Sequence, residues 1–164
     1  MAKNKNILQY TGAMVLGLHD ALVSQTGIIV GLAFALADER LIILSSVIAA
    51  VAASLSMGAS NYLAQKSDAN PRAIIAGVYT GIAYLVTAAL LTIPFAIISN
   101  RFFALGITFV ISVLIIFGFN YWMARAHGRP FIGRFLEMLG ICVGVSVAAF
   151  AIGQLAKYFL GVSI

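Results

Sequence analysis

Asp20 is the residue from which any chemistry in this chain has to be argued. It stands in an apolar stretch, Ile7 to Ala37, with His19 beside it and no other Asp, Glu, Lys, Arg or His. A carboxylate in such a setting is costly unless it pairs, binds a cation or takes a proton. A structural ion pair is the plain alternative, but the chain offers few partners. Lys157 falls at the opposite end of the apolar runs and the arginines fall in the links between them. His19 projects about 100° away around a helix. Asp20 is therefore read as a group that exchanges ions.

Depth brings two more residues to it. Asp20 lies 17 residues before Ala37, about 26 Å along a helix at 1.5 Å per residue. Met57 lies 16 residues after Leu41, about 24 Å along the next, antiparallel helix. Asn61 is one turn beyond Met57 on the same face, and Ser24 one turn beyond Asp20. Asp20, Met57 and Asn61 thus form a candidate metal cluster. Carboxylate and amide oxygen suit hard cations, and thioether sulfur shifts the preference to a borderline divalent transition metal. Met57 is also open to a packing reading. His19 either ligates metal, shuttles protons or hydrogen-bonds a neighbouring helix. No metal-type Cys/His spacing, phosphate loop or nucleophile–base pattern occurs, so an enzyme is not expected.

The elements that must hold these residues are membrane helices. Residues 41 to 64 contain no ionisable side chain apart from Tyr62, and about 20 apolar residues span the roughly 30 Å hydrocarbon core of a bilayer. The chain is 62% hydrophobic and 9% charged, against about 25% charged in a soluble domain. Its net charge of +5 is scattered between apolar runs, which argues against nucleic acid. The fold class expected is an all-α integral membrane protein, a single transmembrane domain over 1–164. Its five helices are placed at about 7–37, 41–65, 73–99, 102–124 and 135–157. Lys3 and Lys5 before an Ala35-Leu36-Ala37 sequence could mark a signal peptide, but the charged pair in mid-stretch fits a membrane helix better. Lys3, Lys5, Lys66, Arg72, Arg125, Arg129 and Arg134 fall on one side; Arg40, Arg101 and Lys157 fall on the other. That asymmetry places the N-terminus in the cytoplasm and the C-terminus outside.

Small residues recur where helices could touch. Ser46, Ala50, Ser54 and Gly58 make a ridge, and Gly27/Gly31, Gly77/Gly81 and Gly140/Gly144 are GxxxG pairs. They read as packing within the bundle before they read as a dimer face. Asn120 and Gln154 are candidates for hydrogen bonds between helices. Cys142 lies in an apolar run and has no disulfide partner in the chain.

The stretches LGLHDALVSQTGIIVGLAFAL at 16–36 and SMGASNYLAQKS at 56–67 resemble the vacuolar iron transporter family. The resemblance covers roughly the first 67 residues. It implies a homodimeric exporter of Fe²⁺ or Mn²⁺ by proton antiport, with no tightly bound cofactor, and the Gly27/Gly31 face is a candidate for the dimer. Asp20 matches that family's helix-one acid and Met57 its helix-two methionine, both on the ion path. Asn61 stands where a glutamate is usual, and His19 where an asparagine is usual. The link 66–72 is too short for the acidic cytoplasmic insert of the family's iron transporters. Alternatives are a carrier of another cation or small solute, or a non-transporting membrane scaffold or accessory subunit. The membrane expected is a prokaryotic plasma membrane, or a vacuolar-type one in a eukaryote.

Overall fold

The computed structural model describes residues 10–35, 38–128 and 130–160. Lys3, Lys5, Arg129, Ala37 and the C-terminal Ile164 lie outside them. Among these residues five helices follow one another: α1 Thr11–Ala35, α2 Glu39–Ser67, α3 Ala73–Ile97, α4 Arg101–His127 and α5 Phe131–Leu160. All five are long and apolar enough to cross a bilayer.

Local chemistry sets their ends. The Asp38 carboxylate accepts from the Arg40 N–H at 2.8 Å and caps α2. The Asn100 side chain accepts from the N–H groups of Phe102 and Phe103, both at 3.1 Å, and caps α4. Such caps satisfy amides that a helix start leaves orphaned. Gly128 closes α4 at φ 62°, in the left-handed region that favours glycine. Pro94 falls in the last turn of α3, which ends at Ile97, where its missing N–H and ring disturb little of the helix.

The helix α1 is the hub. Half of its most apolar window is buried inside the bundle, against 11% for α5. It packs on α3 and α5 most extensively, and also on α2 and α4, while α2 packs chiefly on α3. Backbones approach closely at two crossings. A Cβ added to Gly77 would stand 2.6 Å from the Gly58 carbonyl oxygen, so α2 and α3 meet glycine to glycine. A Cβ on Gly17 would collide with the Thr80 carbonyl, so α1 and α3 meet there too.

The Gly27/Gly31 face is used within the chain. Gly27 packs against Val145 and Ala149 of α5, and a Cβ on Gly153 would reach the Gly31 carbonyl oxygen at 2.9 Å. This face is occupied by α5 and is not free for a second copy. Gly140 and Gly144 have open space around them.

The core beneath these contacts joins Leu22 and Ile29 of α1 to Ile42, Leu91 and Ile116. Neutral polar groups are buried with them: Gln25, Thr26, Ser46, Thr80 and Thr108 are wholly inside. With no water to serve them in hydrocarbon, such groups have to find partners on neighbouring helices.

Candidate functional site

Asn61 shows how α1, α2 and α3 are stitched together. It is buried on α2, and its amide donates to the Thr80 hydroxyl at 2.6 Å and to the Ala76 carbonyl at 3.3 Å, both on α3. Thr80 Oγ1 lies in turn 3.0 Å from the Ala13 carbonyl of α1, in donor geometry. Asn61 also lines a polar cavity of about 400 Å³ with Tyr10, Ala13, Gln65, Asn70 and Arg72. These residues lie at the end of the bundle where α1 and α3 begin and α2 ends. A solute entering that vestibule meets Asn61 at its inner wall.

Farther along α1 stands Asp20, half-buried. Ser24 Oγ donates to the Asp20 carbonyl at 2.7 Å and lies 2.7 Å from the Tyr84 hydroxyl of α3. Serine has one proton to give. With that proton spent on Asp20, Tyr84 is the donor to Ser24. The Asp20 carboxylate is close enough to the Tyr84 hydroxyl to interact with it electrostatically. Met57 packs against the cluster of Ala21, Ala50, Tyr84 and Ala88. Asp20 and Met57 therefore share the region around Tyr84, between α1, α2 and α3.

The polar column continues one turn beyond. Gln25 Nε2 donates to the Ser46 carbonyl at 3.0 Å and to Thr92 Oγ1 at 3.3 Å. Among the described residues, Gln25 Oε1 and Ser46 Oγ are buried without a partner. Free acceptors at that depth suit a water or a passing cation. From the vestibule to Gln25, Arg72 at the mouth is the one positively charged residue among the described members of the column. The column thus holds one carboxylate and several neutral oxygens, a donor set of the kind that cations take.

His19 faces elsewhere. It lines a cavity of about 210 Å³ with Asn120 and Met123 of α4 and Arg134, Glu137 and Met138 of α5. The structure thus brings Asp20, Met57 and Asn61 to one side of α1 and turns His19 to the other. The expected helix-to-helix bond of Asn120 is present, to Met138 Sδ at 3.0 Å, whereas Gln154 is exposed. Sequence reasoning did not single out Gln25, Thr80, Tyr84 or Thr92. A signal was available, because Thr80, Tyr84 and Thr92 fall, with Ala88, on one four-residue stripe of α3.

No curated protein matches the chain. A family model does match, over residues that include all of α1 and α2 and leave α4 and α5 outside. The residues it covers hold Asp20, Met57 and Asn61, the three that the fold gathers on one side of α1. Residues 11–73 match the VIT family, a family of iron and manganese transporters rather than enzymes.

Proposed function

We propose that this protein exports a divalent transition-metal ion, Fe²⁺ or Mn²⁺, from the cytoplasm in exchange for protons. The observation that carries the reading is Asp20. It is a carboxylate on the hub helix that faces the Tyr84 hydroxyl, which pairs with Ser24, and Met57 packs on the cluster that holds Tyr84. A metal ion and a proton compete for one carboxylate, because its negative charge can be neutralised by either. Metal arriving from the vestibule displaces the proton, and a proton arriving from the far side releases the metal. Met57 biases the site toward softer ions, and Asn61 and Gln25 offer neutral oxygens along the way.

In this reading the vestibule faces the cytoplasm, the C-terminus lies outside, and the membrane is a prokaryotic plasma membrane. The lysine and arginine asymmetry supports that orientation, and a reporter fused after Ile164 reads it directly. The protein works as a homodimer, joined through a face other than Gly27/Gly31. Native mass measurement in mild detergent that shows only monomer refutes the dimer.

The deciding experiment is flux into proteoliposomes with Fe²⁺, Mn²⁺, Zn²⁺ and Co²⁺ compared side by side, with and without a proton gradient. Gradient-dependent Fe²⁺ or Mn²⁺ flux supports the proposal. Flux of none of the four ions refutes it and favours another solute or a scaffold role. Asn61 gives the other-cation reading its specific support. Its amide protons are committed to α3, and it brings no negative charge to the ion.

A further inference from the structure

The cavity on the far side of α1 gathers side chains whose nitrogen, oxygen and sulfur atoms could ligate a metal. Its wall carries an imidazole, His19, a carboxylate, Glu137, and two thioethers, Met123 and Met138, drawn from three helices. Nitrogen, oxygen and sulfur together suit a first-row transition ion better than Mg²⁺ or Ca²⁺, which take oxygen alone. We propose that this cavity is a second metal site, taking one divalent transition-metal ion on His19, Glu137, Met138 and Met123. Its ligands are separate from those of the transport reading above, on which it rests only for the class of ion.

Asn120 supplies an independent observation. This side chain is buried, and it spends its amide protons on the Ile116 carbonyl at 2.8 Å and on Met138 Sδ at 3.0 Å. A thioether is a weak acceptor, and a position that served only packing would hold an aliphatic side chain without taxing a buried amide. The contact fixes the sulfur at the cavity wall and leaves it a second lone pair. Partners of this kind orient metal ligands and tune affinity.

Arg134 stands in the same wall, three residues before Glu137 on one helix face. Its charge opposes a cation in the cavity. The site is therefore weak by construction, as befits one that loads and unloads. It lies near the α4–α5 connection, at the same end of the bundle as the vestibule. Ions reach both sites from one side of the membrane.

The test is titration of the purified full chain in detergent with Co²⁺ alone, read by calorimetry and by the visible absorption of the bound ion. Wild type is expected to bind Co²⁺ at two places per chain. Glu137→Gln and Met138→Leu, both close to isosteric, should weaken one of them by about tenfold or more. Arg134→Gln should tighten that same site by about tenfold, a gain that misfolding cannot imitate. Asp20→Asn should spare it and remove the other. If Glu137→Gln, Met138→Leu and Arg134→Gln all bind Co²⁺ as wild type does, the cavity is not a metal site. If wild type instead binds inorganic phosphate there, and Arg134→Gln loses it, the cavity takes an anion and the metal assignment falls. If Glu137→Gln removes a site and Asp20→Asn removes none, the cavity stands and the transport reading through Asp20 fails alone.

Discussion

Replacing Asp20 by asparagine keeps the shape of the side chain and removes its charge. The fold should tolerate this. The contact that Ser24 makes here is to the Asp20 backbone carbonyl, which the substitution leaves in place, and a neutral amide is less costly in hydrocarbon than a carboxylate. Stability is therefore expected to change by less than about 1 kcal/mol, within the range of an ordinary mild substitution. Ion binding should change far more. Unit charges about 4 Å apart attract by about 4 kcal/mol at an effective dielectric of about 20, and a divalent ion doubles that gross term. Desolvation takes back part of the gain, so about 4 kcal/mol is a reasonable net loss, or roughly a thousandfold in affinity at about 1.4 kcal/mol per decade. Competition also fixes the sign of the pH effect. Acidifying the loading side supplies the competing proton, so wild-type affinity should fall by as much as about tenfold per pH unit. Asp20→Asn has no carboxylate to titrate there, and its residual binding should lose that component. Metal uptake into proteoliposomes, with thermal unfolding as the fold control, measures all three quantities. A well-folded Asp20→Asn protein that transports at the wild-type rate with the wild-type pH dependence would refute the reasoning.

Four further outcomes follow from the same geometry. Met57→Leu preserves packing against the Ala21–Tyr84 cluster and removes the sulfur, so selectivity should move from Fe²⁺ toward harder ions such as Mn²⁺ with little loss of stability; unchanged ion ratios in competition flux would make Met57 a packing residue. Tyr84→Phe deletes the hydroxyl that donates to Ser24, at a cost of about 0.5–1.5 kcal/mol, and should slow flux severalfold where Asp20→Asn abolishes it; equal effects of the two would argue against a positioning role. Gly31→Leu inserts a side chain between α1 and α5 and should destabilise the protomer by about 1–3 kcal/mol, seen as a lower unfolding temperature; loss of a dimer with protomer stability unchanged would contradict the packing found here. One proton returned for each divalent ion leaves one net charge to cross, worth about 2.3 kcal/mol per 100 mV; clamping the liposome potential should therefore change the ion gradient reached, and indifference to the clamp would require a second titrating group.

The helices were legible because each apolar run is longer than a bilayer is thick, and polar links such as the one from Ser67 to Arg72 interrupt them. Asp20 was legible because an ionisable group in such a run has few places to go. The partners of Asp20 were not. Thr80, Tyr84 and Gln25 are neutral, and neutral polar residues are common in membrane helices. Their importance depends on which face of α3 turns toward α1, and that is set by Gly17 meeting the Thr80 backbone. A single glycine in a span rich in glycine announces nothing by itself. The same applies to Gly27 and Gly31. Their spacing shows that a close approach occurs, and only the placement of Val145 and Gly153 shows that α5 makes it.

The separation of His19 from Asp20 follows from the helix itself, since neighbours diverge by about 100°. It has consequence because α1 is the hub and has packed elements on both sides. Asp20 turns to Tyr84 of α3, whose hydroxyl meets Ser24 of α1 and on whose cluster Met57 of α2 packs. His19 turns to α4 and α5, where charge is already present as Arg134 and Glu137. Asp20 and His19 thus share one helix and answer to different neighbours. With Asn61 uncharged, Asp20 is the one carboxylate among the described residues of its column, so Asp20→Asn tests that column without touching the cavity behind His19.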